Sequence, residues 1–369
     1  MTITAPSESD MAKESFIFEG TFNKQPISSP IPVHILCDDL TEADLRAFPA
    51  FRDWFTRTLQ NFTLQGNEAH TFHSKPLQVQ KIDVETVTWF QKPKQPRAVG
   101  FVKLQAQIQN YDSKDADGLS AEEKQKRNML WFPGSVFLRG GSVGVLILIK
   151  PWDPDNPSKE QPDIYTVLIV QPRIAAGSLA FPEIPAGMID DKTNDLGGAA
   201  AKEVYEETGL RIKREDMLNM SELATKDVRL NPYTHGDTKA YEEPKDGEDD
   251  VERDPQVQWA EDIADSMYPS VGGCDEFLPL FLCQKRMTLS LLEQLKGRAT
   301  GLIDEGESIT VKVVPFRNLW KEGGRDGKAL AALGLYHSLM AEGEIPAWPN
   351  EPHSYDVEPP AAEKKPASV

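Results

Sequence analysis

The chain has few cysteines, no long apolar run and a shortage of basic residues, and each shortage excludes a class of protein. It contains 3 cysteines in 369 residues, an odd number without metal-ligand spacing, so we expect reduced and mostly buried thiols. The longest apolar run, Val143 to Ile149, is far too short to span a bilayer. Residues 1–15 lack an apolar core and contain no arginine, which argues against a secretory or transit segment and predicts a cytoplasmic location.

Acidic residues outnumber basic ones, 58 to 40, and give a net charge of −18 at pH 7. Binding to the phosphate backbone of nucleic acids depends on patches of Lys and Arg, so we predict no nucleic-acid partner. We also expect no membrane partner. An acidic protein that binds an anionic substrate must rely on metal ions and a few local arginines.

The chain is long enough for more than one domain. We predict four consecutive segments, the third of which contains an insertion, and no internal repeat. They are a flexible N-terminus (1–28), a smaller β-rich domain (29–127), a main domain (128–345) with an acidic loop insertion (231–261), and a disordered tail (346–369).

Local patterns predict the main elements. Thr41, followed by Asp44 three residues on, marks a helix start, and Pro49 either breaks that helix or starts another. Trp131, Phe132 and Phe137 are expected in the core, although such residues can also stack on a base. Predicted strands are Leu77 to Trp89, Val99 to Ile108, Ser135 to Leu138, Val143 to Lys150, Tyr165 to Gln171 and Phe277 to Cys283, and a helix is predicted at about Lys328 to Ala341 with Leu330, Leu333 and Leu335 toward the core.

Three glutamates lie on one stripe of a short predicted helix. Glu203, Glu206 and Glu207 are spaced i, i+3 and i+4, which makes them neighbours and mutually repelling. The cluster favours a compensating cation, and ligands that are all oxygen suit a hard ion such as Mg2+. A solvated acidic helix face is the alternative. Asp195 is the predicted N-cap, and Gly209 is placed where a left-handed residue closes a helix.

The segment from Gly187 to Leu210 resembles a Nudix box, whose pattern is a Gly, a Glu a few residues on, then Arg-Glu-apolar-x-Glu-Glu-x-Gly-apolar. Its second half reads Lys202-Glu-Val-Tyr-Glu-Glu-Thr-Gly-Leu210. There are two departures. Lys202 stands where the family usually has Arg, and lacks the planar fork that pairs with carboxylates. The first half is one residue longer, with Asn194 and Asp195 near the expected Glu.

Other segments are similar to the ADP-sugar pyrophosphatase branch of this family, and most of all to its eukaryotic ADP-glucose-type subgroup. The acidic stretch Thr300 to Val311 contains Glu305 and Glu307, although by itself it reads as an ordinary turn with exposed acids. Ser270 to Glu276 and Gln171-Pro-Arg173 also resemble segments of that branch. The Arg139-Gly-Gly141 turn recurs in the subgroup, where it either allows a close approach of phosphate or merely forms a hairpin turn.

The resemblance implies an α/β/α Nudix sandwich with a mixed sheet, preceded by a smaller N-terminal β-rich domain. It also implies a homodimer that uses Mg2+, or Mn2+ as a substitute, to hydrolyse nucleotide sugars, preferably ADP-sugars, to a nucleoside monophosphate and a sugar 1-phosphate. The implied residues are the general base Glu305 and the partial ligand or orienting neighbour Glu206, the metal ligands Ala186 (through its carbonyl), Glu203, Glu207 and Glu307, and the substrate-binding residues Arg173, Arg139 and Glu183.

Alternatives from other classes remain open. A dinucleoside polyphosphate, coenzyme A or capped RNA would require the same chemistry, although the acidic surface argues against RNA. A non-catalytic module that senses a nucleotide sugar would share the fold, but such modules typically lose box glutamates. Thr225 stands where many ADP-ribose enzymes of the family carry Pro, which argues against ADP-ribose in particular.

Overall fold

The computed structural model describes residues 13–68, 70–91, 96–153, 155–156, 163–189, 195–226, 261–301 and 308–349. These residues form a mixed α/β structure that divides into two compact units. The first unit contains the described residues up to Gly140 together with 261–264 and 270–276, and the second contains the rest. The units therefore divide first between Gly140 and Gly141, whereas we predicted a boundary between residues 127 and 128.

The first unit is built on a six-stranded sheet in the order β1-β4-β5-β6-β7, with β8 also paired to β6. Neighbouring strands are antiparallel except for the parallel pair β4 and β5. Since β8 belongs to this sheet, the strand predicted for the main domain lies in the first unit. The strands are β1 (Glu14–Phe18), β2 (Thr21–Phe22), β3 (Gln25–Pro26), β4 (Ile31–Ile35), β5 (Gln78–Phe90), β6 (Ala98–Gln109), β7 (Trp131–Phe132) and β8 (Ser135–Leu138), of which β2 and β3 form a separate hairpin.

Three helices accompany this sheet: α1 (Glu42–Ala47), α2 (Pro49–Thr63) and α3 (Ala121–Lys126). The predicted start of α1 is confirmed, because Thr41 and Asp44 form a reciprocal capping box. Pro49 is the first residue of α2, where its missing N–H costs nothing.

Helix α2 buries Phe51, Phe55 and Leu59, and the two phenylalanine rings pack against Phe18 and Phe22 with centroids 4.9 to 6.1 Å apart. The expectation that Trp131, Phe132 and Phe137 lie in the core is wrong. These side chains are 65%, 43% and 39% exposed.

The second unit is built on an eight-stranded sheet in the order β13-β14-β9-β10-β16-β15, with β11 paired to β10 and β12 to β9. Strands β14 and β9 run parallel and the other pairs are antiparallel, so the sheet is mixed. The strands are β9 (Ser142–Trp152), β10 (Tyr165–Arg173), β11 (Ser178–Glu183), β12 (Ala186–Met188), β13 (Met217–Asn219), β14 (Leu280–Thr288), β15 (Ala299–Thr300) and β16 (Ile309–Pro315).

Helices cover both faces of this sheet. Val145 and Ile147 of β9 pack with α4 and α6, whereas Leu146 and Leu148 pack with α5, α7 and α8, so the predicted α/β/α sandwich is confirmed. No helix within the described ranges is long and apolar enough to cross a bilayer. The helices are α4 (Leu196–Thr208), α5 (Met220–Thr225), α6 (Leu289–Leu295), α7 (Leu319–Glu322) and α8 (Gly327–Glu342).

The three cysteines are free thiols: Cys283 is buried, and Cys37 and Cys274 are half-buried. Burial raises the pKa of Cys283 to about 12. This thiol therefore stays protonated at neutral pH and behaves as a small apolar side chain in the sheet.

Candidate active site

The acidic helix α4 is fixed at both ends by the residues that the sequence indicated. The Asp195 carboxylate accepts a hydrogen bond from the Gly198 N–H at 3.0 Å. At the other end Gly209 has φ 74° and closes the helix in the left-handed conformation. Ala200 and Val204 are buried in the core beside the sheet. These contacts fix the position of α4 and of the glutamates that it carries.

Glu207 is buried, with only 6% of its surface exposed, so it is not part of a solvated acidic face. Its Oε2 accepts the Ala186 N–H at 2.8 Å, and its Oε1 lies 3.5 Å from Gln171 Nε2. Burial raises the pKa of Glu207 well above the ordinary value of 4.5, and the negative charges of Glu203 and Glu183 act in the same direction.

Glu203 lies against the backbone of Gly187. A Cβ placed on Gly187 would come within 1.9 Å of the Glu203 carboxyl carbon, so any other residue here would displace the Glu203 side chain. Gly187 and Ala186 are neighbours in β12, which pairs with β9. The structure therefore brings Ala186, Glu203 and Glu207 together, and their predicted role as metal ligands stays a prediction.

Glu206 is half-buried, and its Oε2 lies 4.0 Å from Lys202 Nζ. Its backbone carbonyl accepts the Gly301 N–H at 3.3 Å, and the Thr300 hydroxyl donates to the Glu207 carbonyl. The start of the predicted acidic loop is thus attached to the end of α4. Glu305 and Glu307 lie outside the described residues, and their roles stay predictions.

Arg173 and Glu183 form an ion pair beside this cluster. Arg173 ends β10 after a register shift, and its Nε donates to Glu183 Oε1 at 2.6 Å. Lys328 Nζ donates to Glu183 Oε2 at 2.8 Å and lies 3.0 Å from Asp326 Oδ1. Burial alone would raise the pKa of Glu183, but the Lys328 and Arg173 cations outweigh it and lower the pKa below 4.5. Glu183 is therefore ionised.

Sequence reasoning missed Lys328 and Asp326. A signal was available, because a lysine in the first turn of a helix opposes the positive end of the helix dipole. Such a lysine is unfavourable unless an anionic group compensates it.

Arg139 belongs to the first unit. Its Nη1 lies 3.2 Å from Glu276 Oε1, and its backbone N–H donates to Asp275 Oδ1 at 2.8 Å. Burial raises the pKa of Asp275, against the lowering effect of the bonds from the backbone N–H groups of Arg139 and Gly140. The predicted role of Arg139 in substrate binding stays a prediction.

The donor atoms around α4 fit a hard divalent cation in charge and type. Glu203 and Glu207 offer only oxygen ligands, and a nearby cation would offset the burial and the negative neighbours that raise the pKa of Glu207. Within the residues that the structure describes, no group of three or more His, Cys, Asp or Glu side chains is arranged to hold a metal ion. Glu307, the further carboxylate ligand predicted from the sequence, lies outside them.

The fold is an α/β/α sandwich with a mixed sheet. Its candidate site is acidic, because the carboxylates of α4 lie beside that sheet. The chain is 30% identical over 304 residues to Nudix hydrolase 14, chloroplastic, of Arabidopsis thaliana, and the match covers 82% of this chain and 75% of that protein. The chain belongs to the Nudix hydrolase family.

A solved structure described as the crystal structure of ADP compounds hydrolase is also similar to this chain. It matches with a TM-score of 0.34 and 14% sequence identity, and the match covers 72% of this chain and 98% of that one. No protein-family model matches the chain.

Proposed function

We propose that this protein hydrolyses the pyrophosphate bond of nucleoside diphosphate sugars, with a preference for ADP-sugars, to a nucleoside monophosphate and a sugar 1-phosphate. The observation that carries the proposal is the burial of Glu207 beside Glu203 and the β12 backbone. Family membership supports it, because the glutamates of the box are present.

The charge of a pyrophosphate repels an attacking water, so hydrolysis requires that charge to be neutralised and the water to be placed and deprotonated. A bound Mg2+, or Mn2+ in its place, supplies charge neutralisation and Lewis acidity. Glu203, Glu207 and the Ala186 carbonyl would hold it, with Glu307 as a further ligand and Glu206 as a partial ligand or orienting neighbour. Glu305 would accept the proton of the attacking water, a role that requires hydrogen-bond reach in the bound complex.

Arg173 would bind the substrate phosphates. A guanidinium presents its donors in a planar fork that matches phosphate oxygens. Glu183 orients that fork through the Nε of Arg173. We assign Arg139 a substrate contact on the basis of the resemblance of its turn to the ADP-glucose-type subgroup.

A substrate panel tests the proposal. The full chain is incubated with Mg2+ and ADP-ribose, ADP-glucose, UDP-glucose, diadenosine polyphosphates, coenzyme A or capped RNA, and the released monophosphate is quantified by chromatography. We expect the highest kcat/KM for an ADP-sugar. Faster turnover of a dinucleoside polyphosphate or coenzyme A would reassign the substrate, and no release from any compound would favour a sensor.

We further propose a homodimer in the cytoplasm. Light scattering coupled to gel filtration should give twice the mass of the chain, and a sharp monomer peak would contradict the dimer. The Arabidopsis relative is described as chloroplastic. A fluorescent fusion of the full protein at its native level would decide the compartment.

A further inference from the structure

The first turn of α8 carries an unusual pair of charges. Asp326 caps the helix by accepting the Lys328 N–H at 3.0 Å. The Lys328 side chain is only 17% exposed and Asp326 only 3%. A lysine here works against the helix dipole and loses side-chain entropy, so its position requires compensation from strong local contacts.

Those contacts tie α8 to the strand that precedes the box. Lys328 Nζ donates to Glu183 Oε2 at 2.8 Å, and Asp326 Oδ2 accepts the Ile184 N–H at 3.0 Å. One turn of α8 therefore fixes both the side chain of Glu183 and the backbone of the next residue. Ala186, whose N–H donates to Glu207, follows two residues later.

The two oxygens of the Glu183 carboxylate contact different cations. Oε1 accepts Arg173 Nε at 2.6 Å and Gln171 Nε2 at 3.1 Å, while Oε2 accepts Lys328. Arginine pairs most strongly with a carboxylate when two of its nitrogens reach both oxygens. Lys328 lies at the second oxygen, whereas Arg173 contacts the first oxygen through its Nε, and the Arg173 side chain remains 42% exposed.

We propose that Lys328 is a positioning residue for anion binding: by occupying Glu183 Oε2 it keeps the terminal nitrogens of Arg173 available to the pyrophosphate of the substrate. The identity of that anion rests on the proposed function. Without Lys328, Glu183 Oε2 is left as a buried carboxylate oxygen short of a donor, and Arg173 turns to bind both oxygens. The fork is then withdrawn from the substrate.

The test compares K328M, K328R and K312M in the full-length protein. Lys312 is a matched control, because it forms a 2.6 Å ion pair with Glu322 in the same unit, with both side chains about two-fifths exposed. For K328M we expect KM for the best substrate of the panel to rise by about tenfold, the loss of one charge-assisted hydrogen bond, with a much smaller change in kcat. K328R should restore most of KM, and K312M should behave as wild type.

Two more measurements separate positioning from packing. The double variant K328M/E183Q should recover part of the lost KM, because the neutral amide that E183Q introduces no longer draws the guanidinium away from the substrate, whereas a purely structural defect would worsen. Melting temperatures identify variants that fail to fold. Where K328M does not fold, K328A, which also leaves Glu183 Oε2 without its donor, is used in its place.

Calorimetric binding of α,β-methylene-ADP in Mg2+ gives a readout independent of turnover. We expect K328M to bind this diphosphate about tenfold more weakly than wild type. If wild type binds the analogue about tenfold more tightly than K328M but hydrolyses no compound of the panel, the proposed function fails and the role of Lys328 stands. If hydrolysis is intact and folded K328M matches wild type in KM and binding, the role of Lys328 is refuted. The role of Lys328 in anion binding is also refuted if wild type does not bind the analogue.

Discussion

Gly187 lies directly against the carboxylate of Glu203. Its missing side chain leaves the space in which the Glu203 carboxylate lies, since a Cβ would come within 1.9 Å of the carboxyl carbon. We expect Gly187→Ala to displace Glu203 by about 1 Å or more and to lower kcat/KM by about a hundredfold, because misplaced catalytic groups have effects of that size.

Gly334→Ala is the matched control for that substitution. Gly334 lies within α8, and an added Cβ would meet nothing within 4 Å. Alanine there should leave turnover unchanged and stabilise the helix by about 0.5–1 kcal/mol. Equal kcat/KM values for the two alanine variants would show that Glu203 has no function in the position that the structure gives it.

Glu207 combines burial with a predicted metal contact, and the two properties are separable by measurement. Glu207→Gln keeps the volume and an acceptor for the Ala186 N–H but removes the charge. In EDTA we expect its melting temperature to equal or exceed that of wild type, because burying a charge is costly. Added Mg2+ should raise the melting temperature of wild type only, and turnover of the variant should fall by orders of magnitude.

The contrary result is equally clear. If the Gln variant is stabilised by Mg2+ as strongly as wild type and keeps Mg2+-dependent activity, Glu207 is not a ligand. Titration by differential scanning fluorimetry over a range of Mg2+ concentrations measures the first property, and the substrate panel measures the second.

Among the secondary-structure elements, helix ends were the easiest feature to predict. Thr41, Asp195 and Gly209 each form the predicted cap, and Pro49 starts a helix, one of the two roles predicted for it, because helix ends depend on interactions that a few neighbouring residues decide. Strand ends depend on partners that are distant in sequence. Strand β9 continues past Lys150 to Trp152 because it stays in register with β14 as far as Thr288.

The buried face of α8 was harder to predict. The helix is apolar nearly all round, so the spacing of its leucines does not identify one face. It buries Ala329, Ala332, Tyr336 and Leu339, whereas Leu330 is 43% exposed, so its predicted place in the core is wrong.

The candidate site was predictable where its residues are close in sequence. Helical spacing alone indicates a carboxylate cluster at Glu203, Glu206 and Glu207. The contact between Lys328 and Glu183 joins residues 145 positions apart, and no local pattern links them. Such pairs are set by the topology of the sandwich, which brings the first turn of α8 to the end of β11.

An ion pair joins β14 to the turn that precedes β13. Lys285 is fully buried and donates to Asp216. In the same turn, Arg214 Nε lies 2.7 Å from Asp195 Oδ1, the cap of α4. We expect Asp216→Ala to cost about 3–5 kcal/mol in the free energy of unfolding, because it removes an anionic partner of a buried cation.

Urea unfolding at pH 7 measures that cost. The control is Glu215→Ala, whose exposed 3.7 Å pair with Lys213 should contribute less than about 1 kcal/mol. If Asp216→Ala unfolds within about 0.5 kcal/mol of wild type, the pair does not stabilise the fold.

For the whole molecule, the layered architecture was predictable through the resemblance of its box, but the division of strands between sheets was not. Alternating side chains indicate that Ser135–Leu138 is a strand without indicating its partner. The strand joins the first sheet by pairing with β6 from Gln105 to Val102. Consequently the compact units divide at Gly140 rather than at the charged stretch before residue 128.

The net charge of −18 predicts how the whole molecule meets an anionic substrate. Long-range repulsion slows encounter, whereas Arg173 and bound metal attract only at short range. Salt screens the long-range part first, because the Debye length falls from about 30 Å at 0.01 M to about 10 Å at 0.1 M ionic strength. At constant free Mg2+ we therefore expect kcat/KM to rise between those two concentrations of monovalent salt, through faster association. A steady fall of kcat/KM from the lowest salt concentration upward would mean that a local positive field around Arg173 outweighs the charge of the rest of the chain. In either case kcat/KM for a neutral substrate analogue should not depend on salt.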